Sequence, residues 1–232
     1  MKRVKFENKN SKCDRPGAKR IVIVDDHPLF RKGLEQLINS NDGLAVCGEA
    51  GSAAEAMDVI RRITPDLVIV DVSLPGANGI ELIKNIRAEF AKLPVLVLSM
   101  HDESLYALRS LRAGAQGYVM KQEALANVLT AIQQVFDGRP YLSATMSAKL
   151  IVSYAEAPDN GKAAPTDNLS DRELEILELI GKGHEVREIA KELHLSPKTV
   201  ETHRAHIKEK LNLKNARQVT RFAVQWMDAR GA

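Results

Sequence analysis

Five short apolar segments alternate with amphipathic segments between residues 20 and 137, and this alternation limits the possible folds more than any other feature. Segments that are apolar at successive positions are typical of parallel strands covered on both faces. The amphipathic segments supply the helical crossovers that parallel strands need. The predicted strands are IVIV (21–24), LAVCGEA (44–50), LVIVD (67–71), VLVLS (95–99) and GYVM (117–120).

Each predicted strand is followed by residues with the apolar spacing of a helix. Five strand-helix units within about 120 residues fit a flavodoxin-like, doubly wound α/β fold with a five-stranded parallel sheet. A β/α barrel would need about 250 residues. The predicted helices cover residues 29–38, 54–63, 80–90, 103–113 and 124–136.

The last part of the chain, residues 169–232, has no strand pattern and predicts four short helices. Ser170 and Glu173 have the spacing of a capping box, and Ser196 followed by Pro197 marks another helix start. Glycines at 181 and 183 end the first helix. The other three are expected over 185–194, 196–211 and 215–227, which together make a small all-α domain.

The predicted domain organisation has four parts. A basic tail without fixed structure (1–18) precedes the α/β domain (19–137), and a linker (138–167) leads to the all-α domain (168–230). The linker is rich in Pro, Gly, Asn and Asp, with one short helix expected over 143–154.

Charge is distributed unevenly along the chain. Residues 1–20 hold eight basic and two acidic side chains, whereas residues 21–168 hold thirteen basic and eighteen acidic ones. Residues 187–217 hold eight basic and four acidic side chains and three histidines. This last segment is compatible with contacts to DNA phosphates, and equally with a solvated surface.

Other sequence features argue against several classes of protein. No run of 18 apolar residues exists, so we expect no transmembrane helix, and the basic start lacks the apolar core of a signal peptide. Cys13 and Cys47 do not have the spacing of a zinc site, and two cysteines are too few for a disulfide framework. A reduced cytoplasm is therefore the expected location.

Polar side chains follow four of the five predicted strands. Because the carboxyl ends of parallel strands meet at one edge of the sheet, these side chains should converge there. An aspartate at a strand end is by itself more often a turn residue or helix cap, but this shared placement favours a site. The residues are Asp25 and Asp26 after the first strand, Asp71 ending the third, Ser99 ending the fourth and Lys121 after the fifth.

The chemistry of this set predicts phosphoryl transfer. Three close carboxylates repel each other, and a bound Mg²⁺ would relieve that repulsion. The ion could bridge an aspartate and a phosphoryl group while the carboxylate attacks phosphorus. Lys121 and Ser99 would then supply a positive charge and a hydroxyl donor to the phosphoryl oxygens.

Four stretches, VDDHPLFRKGL, PDLVIVDVSLPGANGIEL, PVLVLSMHDE and AGAQGYVMK, resemble the receiver domain of two-component response regulators, over about residues 19–137. The resemblance implies that Asp71 is the phosphoacceptor and that Asp26 binds Mg²⁺ directly. Asp25 would act through water, and the backbone carbonyl of Ser73 would complete the protein ligands.

The resemblance also implies a conformational switch. Ser99 and Tyr118 match the family's switch pair, in which the hydroxyl moves toward the phosphoryl group and the aromatic side chain follows. The face made by the fourth helix, fifth strand and fifth helix changes as a result. Pro75 and Gly79 match the loop after the acceptor.

The stretch LSDRELEILELIGKGHEVREIAKELHLSPKTVETHRAHIKEKLNLKNARQ resembles the helix-turn-helix of LuxR-type regulators, and with a receiver it indicates the NarL/FixJ subfamily. One departure is Val186, where the family commonly has Asn; the basic residue that follows is kept as Arg187. Lys198, Thr199, Arg204 and Lys208 are candidate phosphate contacts. The other candidate DNA contacts are Glu201, Thr202, Ala205 and His206 on the same helix and Arg187 and Lys191 on the preceding one.

Two positions keep alternative interpretations. His203 lies between the apolar residues of the third helix, either as a half-buried residue with satisfied hydrogen bonds or as a metal ligand. The last helix carries Val219, Phe222, Ala223 and Trp226 at helical spacing, as domain core or, near Trp226 and Met227, as a dimer contact.

The resemblance implies a transcription regulator that takes a phosphoryl group from a histidine kinase, needs Mg²⁺, binds double-stranded DNA and forms a homodimer when phosphorylated or DNA-bound. It would not be an enzyme, although the receiver catalyses its own phosphoryl transfer and dephosphorylation. An aspartyl-phosphate phosphatase would carry its nucleophile after the first strand. A lactone-gated regulator would have an aromatic-lined ligand domain, whereas residues 21–140 hold only five Phe and Tyr residues.

Overall fold

The computed structural model describes residue 13 and residues 15–101, 103–148 and 165–231. It divides into two compact units, residues 1–150 and 151–232, which are considered separately below. Most of the basic tail and residues 149–164 of the linker lie outside the described residues. Residues 144–148 are helical, in agreement with the first half of the short helix expected over 143–154, and the second half falls in the part that is not described.

The N-terminal unit contains the predicted five-stranded parallel sheet, in the order β2-β1-β3-β4-β5. Helices α1 to α5 follow the strands, so the flavodoxin-like α/β fold is confirmed. The strands are β1 (Lys19–Val24), β2 (Leu44–Ala50), β3 (Leu67–Asp71), β4 (Val95–Ser99) and β5 (Gly117–Met120). The helices are α1 (Pro28–Asn39), α2 (Ala53–Ile63), α3 (Gly79–Glu89), α4 (Glu103–Ala113) and α5 (Ala124–Phe136).

Alternate side chains of the central strands build the core. Ile21 and Ile23 of β1 belong to a fully buried cluster with Ile69 of β3, and α1 and α5 contribute Ile38 and Ile132 to it. Burial of apolar side chains at this density is the main stabilising term for such a unit. This packing holds the parallel strands in register, with their carboxyl ends at one edge of the sheet.

The edge strand β2 contains a bulge at Cys47. The pairing with β1 passes from Ile21 opposite Val46 to Val22 opposite Gly48, which leaves Cys47 as the extra residue. A bulge redirects the side chain that it carries. A disulfide joins Cys47 to Cys13, whose Cα lies 5.6 Å away. No spacing rule pairs these two cysteines, and the bond departs from the reduced state expected from the sequence.

A short hairpin with two residues in each strand follows β3 after Val72, and it was not predicted from the sequence. It pairs Ser73–Leu74 with Ala77–Asn78, and Gly76 at its turn has a φ of +73°. The Asn78 side chain then caps α3 by accepting a 2.7 Å hydrogen bond from the Ile80 N–H. Gly79 begins α3 so close to β3 that a Cβ there would overlap the carbonyl oxygen of Asp71.

Over its described residues, 165–231, the C-terminal unit contains four α-helices, α6 (Asp171–Gly181), α7 (Val186–Glu192), α8 (Pro197–Lys210) and α9 (Ala216–Gly231). The capping box is present: Ser170 Oγ accepts from the Glu173 N–H, and Glu173 Oε2 accepts from the Ser170 N–H. Val219 and Ala223 of α9 are buried. This supports the core interpretation of that part of the helix, whereas Trp226 and Met227 are only half-buried.

Helices α6 and α9 approach closely at Gly181. A Cβ there would come within 2.6 Å of Met227 Cγ, so only glycine permits this contact. Helix α9 continues four residues beyond its predicted end at Met227. Within the described residues, every helix is too short or too polar to cross a membrane.

Candidate functional sites

Lys121 joins two aspartates from neighbouring strands at the carboxyl edge of the sheet. Its Nζ lies 2.7 Å from Asp25 Oδ2 and 2.6 Å from Asp71 Oδ2. All three side chains are buried, and the ammonium also lies 4.8 Å from the centre of the Phe30 ring. Buried charges of this kind persist only when they are paired, so the three groups form one electrostatic unit.

Burial and the neighbouring charges shift the pKa values of this unit. Burial raises the pKa of Asp71 to about 6; the charge of Asp25 adds to the rise, and Lys121 opposes it. Burial lowers the pKa of Lys121, but the two aspartates outweigh it, so that the net shift is upward. Lys121 is therefore charged at neutral pH, and Asp71 loses its proton closer to neutrality than an exposed aspartate does.

Asp26 and His27 extend the acidic cluster toward solvent. His27 Nδ1 lies 2.7 Å from Asp26 Oδ1 and 3.3 Å from Asp25 Oδ1. One atom from each of Asp25, Asp26, His27 and Asp71 lies within 4.8 Å of the others. Three carboxylates suit the hard, oxygen-seeking Mg²⁺, while the imidazole suits it less. His27 was not among the predicted site residues, although its position next to Asp26 could have indicated it.

Ser73 and Ser99 lie beside this cluster, as expected. The Ser73 N–H donates a 3.1 Å hydrogen bond to Asp71 Oδ1, so the loop after β3 orients the Asp71 carboxylate. Ser99 is fully buried at the end of β4, and its Oγ accepts a 3.0 Å hydrogen bond from the His101 N–H. The structure therefore brings together all five residues predicted from the strand ends.

His101 connects several members of the site, and the sequence analysis gave it no role. The hydroxyl of the buried Tyr118 donates to the His101 carbonyl at 2.9 Å. His101 Nε2 lies 2.8 Å from Ser73 Oγ, and its ring stacks 4.4 Å from that of Tyr106. One residue thus contacts both members of the expected switch pair and the loop after the acceptor. Only the resemblance of the segment SMHDE (99–103) to the receiver family could have indicated this role of His101.

In the C-terminal unit, the predicted DNA contacts lie on α7 and α8, with Val200 and Ile207 buried on the opposite side of α8. Thr199 Oγ1 lies 2.7 Å from Ser196 Oγ, and Arg204 lies 3.2 Å from Glu201, so these side chains already have partners within the helix. The exposed candidates are Arg187, Lys191, Lys198, Glu201, Thr202, Ala205 and His206; Thr199, Arg204 and Lys208 are half-buried. Their contacts with DNA stay predictions.

His203 is half-buried, in agreement with one of its two interpretations, but its hydrogen bonds are not all satisfied. Its Nδ1 is buried and finds no hydrogen-bond partner among the described residues. Burial, aided by nearby cations, lowers the pKa of His203. Glu173, which faces it from α6, has a lowered pKa because Lys210 and Ser170 outweigh the upward effect of burial.

Two family models match the chain, one in each unit. Residues 21–133 match the response regulator receiver domain, and residues 167–223 match the bacterial regulatory proteins of the luxR family. The chain is a two-component response regulator of the NarL/FixJ type. The phosphatase and the lactone-gated regulator are therefore ruled out as its class, and a response regulator of this type is not an enzyme in the usual sense.

Relatives of this response regulator resemble it over nearly their whole length. The oxygen regulatory protein NreC of Staphylococcus carnosus is 35% identical, over 89% of this chain and 97% of NreC. The response regulator UvrY of Escherichia coli K12 is 34% identical, over 88% of this chain and 93% of UvrY. The structure of RcsB from Salmonella enterica serovar Typhimurium, bound to promoter P1flhDC with phosphomimetic BeF₃⁻, is 26% identical, with a TM-score of 0.55 over 89% of this chain and 98% of RcsB.

Proposed function

We propose that this response regulator accepts a phosphoryl group on Asp71 from a histidine kinase and thereby controls transcription through α7 and α8. The observation that carries the proposal is the Lys121 ammonium, held within 2.7 Å of both Asp25 and Asp71 at the edge where a phosphoryl donor could approach. The proposed domain limits are those predicted from the sequence, 19–137 and 168–230.

The receiver would catalyse the transfer itself. A carboxylate oxygen of Asp71 attacks phosphorus, the bond to the donor imidazole breaks, and its electrons stay on that imidazole. Lys121 then pairs with a phosphoryl oxygen instead of the Asp71 carboxylate. Asp25, Asp26, Asp71 and the Ser73 carbonyl would hold Mg²⁺, which neutralises phosphoryl charge when bound. Hydrolysis of the acyl phosphate on the same residues would reset the receiver.

Phosphorylation would act first on the loop that contains His101. A phosphoryl oxygen on Asp71 offers Ser99 a strong acceptor, and the His101 N–H loses its present acceptor when Ser99 Oγ turns toward it. The loop then rearranges, and Tyr118 follows because its hydroxyl is bonded to the His101 carbonyl. Two packing states of this loop would supply the bistable element that a switch requires.

The output is proposed to be binding of double-stranded DNA by a dimer. RcsB, in a structure described as bound to a promoter with a phosphomimetic, supports this output for a relative with the same two domains. The half-exposed Trp226 and Met227 on α9 are the proposed dimer contact. The proposed location is the cytoplasm, where the DNA target lies. Phosphorylation either uncovers α8 or dimerises the receiver, which raises the effective concentration at paired half-sites.

The test is phosphorylation with acetyl phosphate and Mg²⁺, followed by mass spectrometry of the intact protein. We expect one added phosphoryl group that hydroxylamine removes, and none in Asp71→Asn. Asp58→Asn, which changes an exposed aspartate of α2, should be labelled like the wild type. Labelling of Asp71→Asn at the wild-type level would overturn the assignment of the acceptor.

The second arm measures DNA binding by dimers. Beryllofluoride should raise the affinity of the wild type for paired half-sites and leave that of Asp71→Asn unchanged. If beryllofluoride raises the DNA affinity without dimerising the full chain, phosphorylation acts by uncovering α8. If DNA affinity and dimerisation increase together, phosphorylation acts by dimerising the receiver. An unchanged wild-type affinity would contradict control through phosphorylation.

A further inference from the structure

We propose that Glu173, His203 and His206 form a transition-metal site in the C-terminal unit, with Zn²⁺ as the ion that suits its ligands best. Glu173 lies in the first turn of α6, and the two histidines lie one turn apart on α8, where positions i and i+3 share a face. One ligand atom from each residue lies within 4.8 Å of the other two.

One of the three ligand separations is close to what zinc requires. Glu173 Oε1 and His206 Nδ1 are 3.7 Å apart. Two ligands of a tetrahedral zinc ion, each bound at about 2.0–2.1 Å, are about 3.3 Å apart. A change of a few tenths of an ångström closes this pair, and the His206 side chain can supply it because it is 52% exposed.

The two carboxylate oxygens of Glu173 face different partners. Glu173 Oε2 lies 2.7 Å from Lys210 Nζ and accepts the Ser170 N–H, also at 2.7 Å. Oε1 is the oxygen that faces His206. Lys210 and Ser170 would therefore act as outer partners that orient the ligand, as is usual around metal sites. The proximity of the Lys210 ammonium also means that binding must be weaker than at a site without a competing cation.

The two imidazoles favour zinc over magnesium or calcium, which prefer oxygen ligands. His203 Nδ1 is buried without a hydrogen-bond partner among the described residues, so no hydrogen bond at that atom holds the ring in another role. Three protein ligands leave a fourth position for water, unlike the closed four-ligand sites that serve structure alone. Such a site would connect α6 to α8, and on the proposed function α8 is the helix that reads DNA.

The competing interpretation is that Glu173, His203 and Lys210 serve packing alone. A change at His206 distinguishes a metal site from packing alone, because His206 is exposed and contributes little to the core. His206→Ala should therefore remove metal binding and leave the fold intact. His184→Ala is the matched control, since His184 lies in the same unit and pairs with Glu192 outside the cluster.

The experiment uses the full chain with its disulfide intact and excess Mg²⁺, titrated with Co²⁺ and then with Zn²⁺. We expect the wild type and His184→Ala to bind one Co²⁺ with the absorption of a four-coordinate site, which Zn²⁺ displaces. Zn²⁺ should raise their Tm, because an ion that binds only the folded state stabilises it. His206→Ala should lose at least tenfold in affinity and show no Tm rise, with its metal-free Tm unchanged.

Imidazole nitrogen NMR provides a second measurement. Zn²⁺ should shift the ring nitrogens of His203 and His206 and leave those of His184 in place. Equal Zn²⁺ affinity in the wild type and His206→Ala, or no shift at either histidine, would overturn the site. Neither result depends on Asp71 phosphorylation, so failure here and failure of the proposed function are separable.

Discussion

Tyr118 donates its hydroxyl hydrogen to the backbone carbonyl of His101 across 2.9 Å, from a ring that is 1% exposed. This bond fastens the loop between β4 and α4 to the sheet in the unphosphorylated receiver. The aromatic side chain points inward because its only polar atom has a partner there. The position of Tyr118 is therefore coupled through this bond to that of the loop.

Tyr118→Phe removes this bond and should lower the free energy of unfolding by about 1 kcal/mol, the typical net contribution of one hydrogen bond, here between the buried Tyr118 and the half-buried His101. Phosphorylation of Asp71 should continue, because the acceptor contacts are unchanged. Urea denaturation and acetyl phosphate labelling check both points. Tyr141→Phe, at a half-buried tyrosine of the same unit, is the control, and an equal loss of stability in both variants would contradict a specific role for the Tyr118 hydroxyl.

The stability of the metal-free protein should depend on pH through Asp71. Its pKa in the folded protein is about 6, against an ordinary value of 3.8. Between these values the folded state keeps a proton that the unfolded chain has released. The resulting stabilisation is complete below 3.8 and is lost as pH rises through about 6.

Urea denaturation in EDTA between pH 4 and pH 7.5 measures this dependence. The free energy of unfolding should change by roughly 3 kcal/mol at most. The free energy of unfolding of the wild type should fall relative to Asp71→Asn as pH rises through about 6. Parallel pH profiles for the two proteins would contradict the raised pKa. Mg²⁺ should move the transition to lower pH, because a cation at the carboxylates favours their charged form.

Lys121→Met should leave two buried carboxylates without their cation. Removing one partner of a buried ion pair costs about 3 kcal/mol or more, so the Tm in EDTA should fall. Mg²⁺ should restore more of the Tm in this variant than it adds to the wild type, because the ion replaces the missing charge. Acetyl phosphate labelling should slow at least tenfold.

Lys84→Met is the control for Lys121→Met. Lys84 pairs with Glu81 on the exposed face of α3, so its removal should change Tm and labelling little. Similar Mg²⁺ responses in both variants would show that Lys121 does not act through the acidic cluster.

Cys13→Ser should destabilise the oxidised N-terminal unit by roughly 3 to 4 kcal/mol, because the disulfide closes a long loop in the unfolded chain. The sequence separation of the two cysteines is 34 residues. Dithiothreitol should lower the wild-type Tm to that of the variant and leave the variant unchanged. Alkylation of both cysteines in the non-reduced protein, detected by mass, would show that the bond is not formed in solution.

Lys208→Ala should weaken DNA binding by a similar factor for all sequences, since a phosphate contact carries no base information. The slope of log affinity against log salt should become shallower by about 1. Fluorescence anisotropy at several salt concentrations measures both. Lys182→Ala, which removes an ion pair with Glu178 at the end of α6, should leave the slope unchanged. An unaltered slope for Lys208→Ala would remove this residue from the interface.

The fold was largely predictable because its strands are continuous apolar segments with clear ends. All five strands appear where the apolar segments predict them, from IVIV at 21–24 to GYVM at 117–120, with β1 beginning two residues earlier. The hairpin after β3 was missed because two-residue strands have no measurable period. Helix α9 continues beyond its predicted end at Met227 because no glycine or proline interrupts the chain before Gly231. The apolar spacing from which the end was predicted stops earlier than the helix does.

The candidate sites were predictable only where topology determines the neighbours. Parallel strands bring Asp25, Asp71 and Lys121 to one edge, and their distances agree with that expectation. His101 was missed because its contacts come from the backbone path of a loop, which no spacing rule describes. The bond between Cys13 and Cys47 was missed because it depends on a bulge that redirects one side chain.

Gly79 has a consequence for engineering this receiver. Its N–H donates a 2.7 Å hydrogen bond to the Val72 carbonyl, and any side chain at this position would strike the Asp71 backbone. The start of α3 and the acceptor therefore move as one rigid piece. Libraries that aim at new phosphodonors can diversify Pro75 and Ala77, which lie on either side of the turn, but they should leave position 79 untouched.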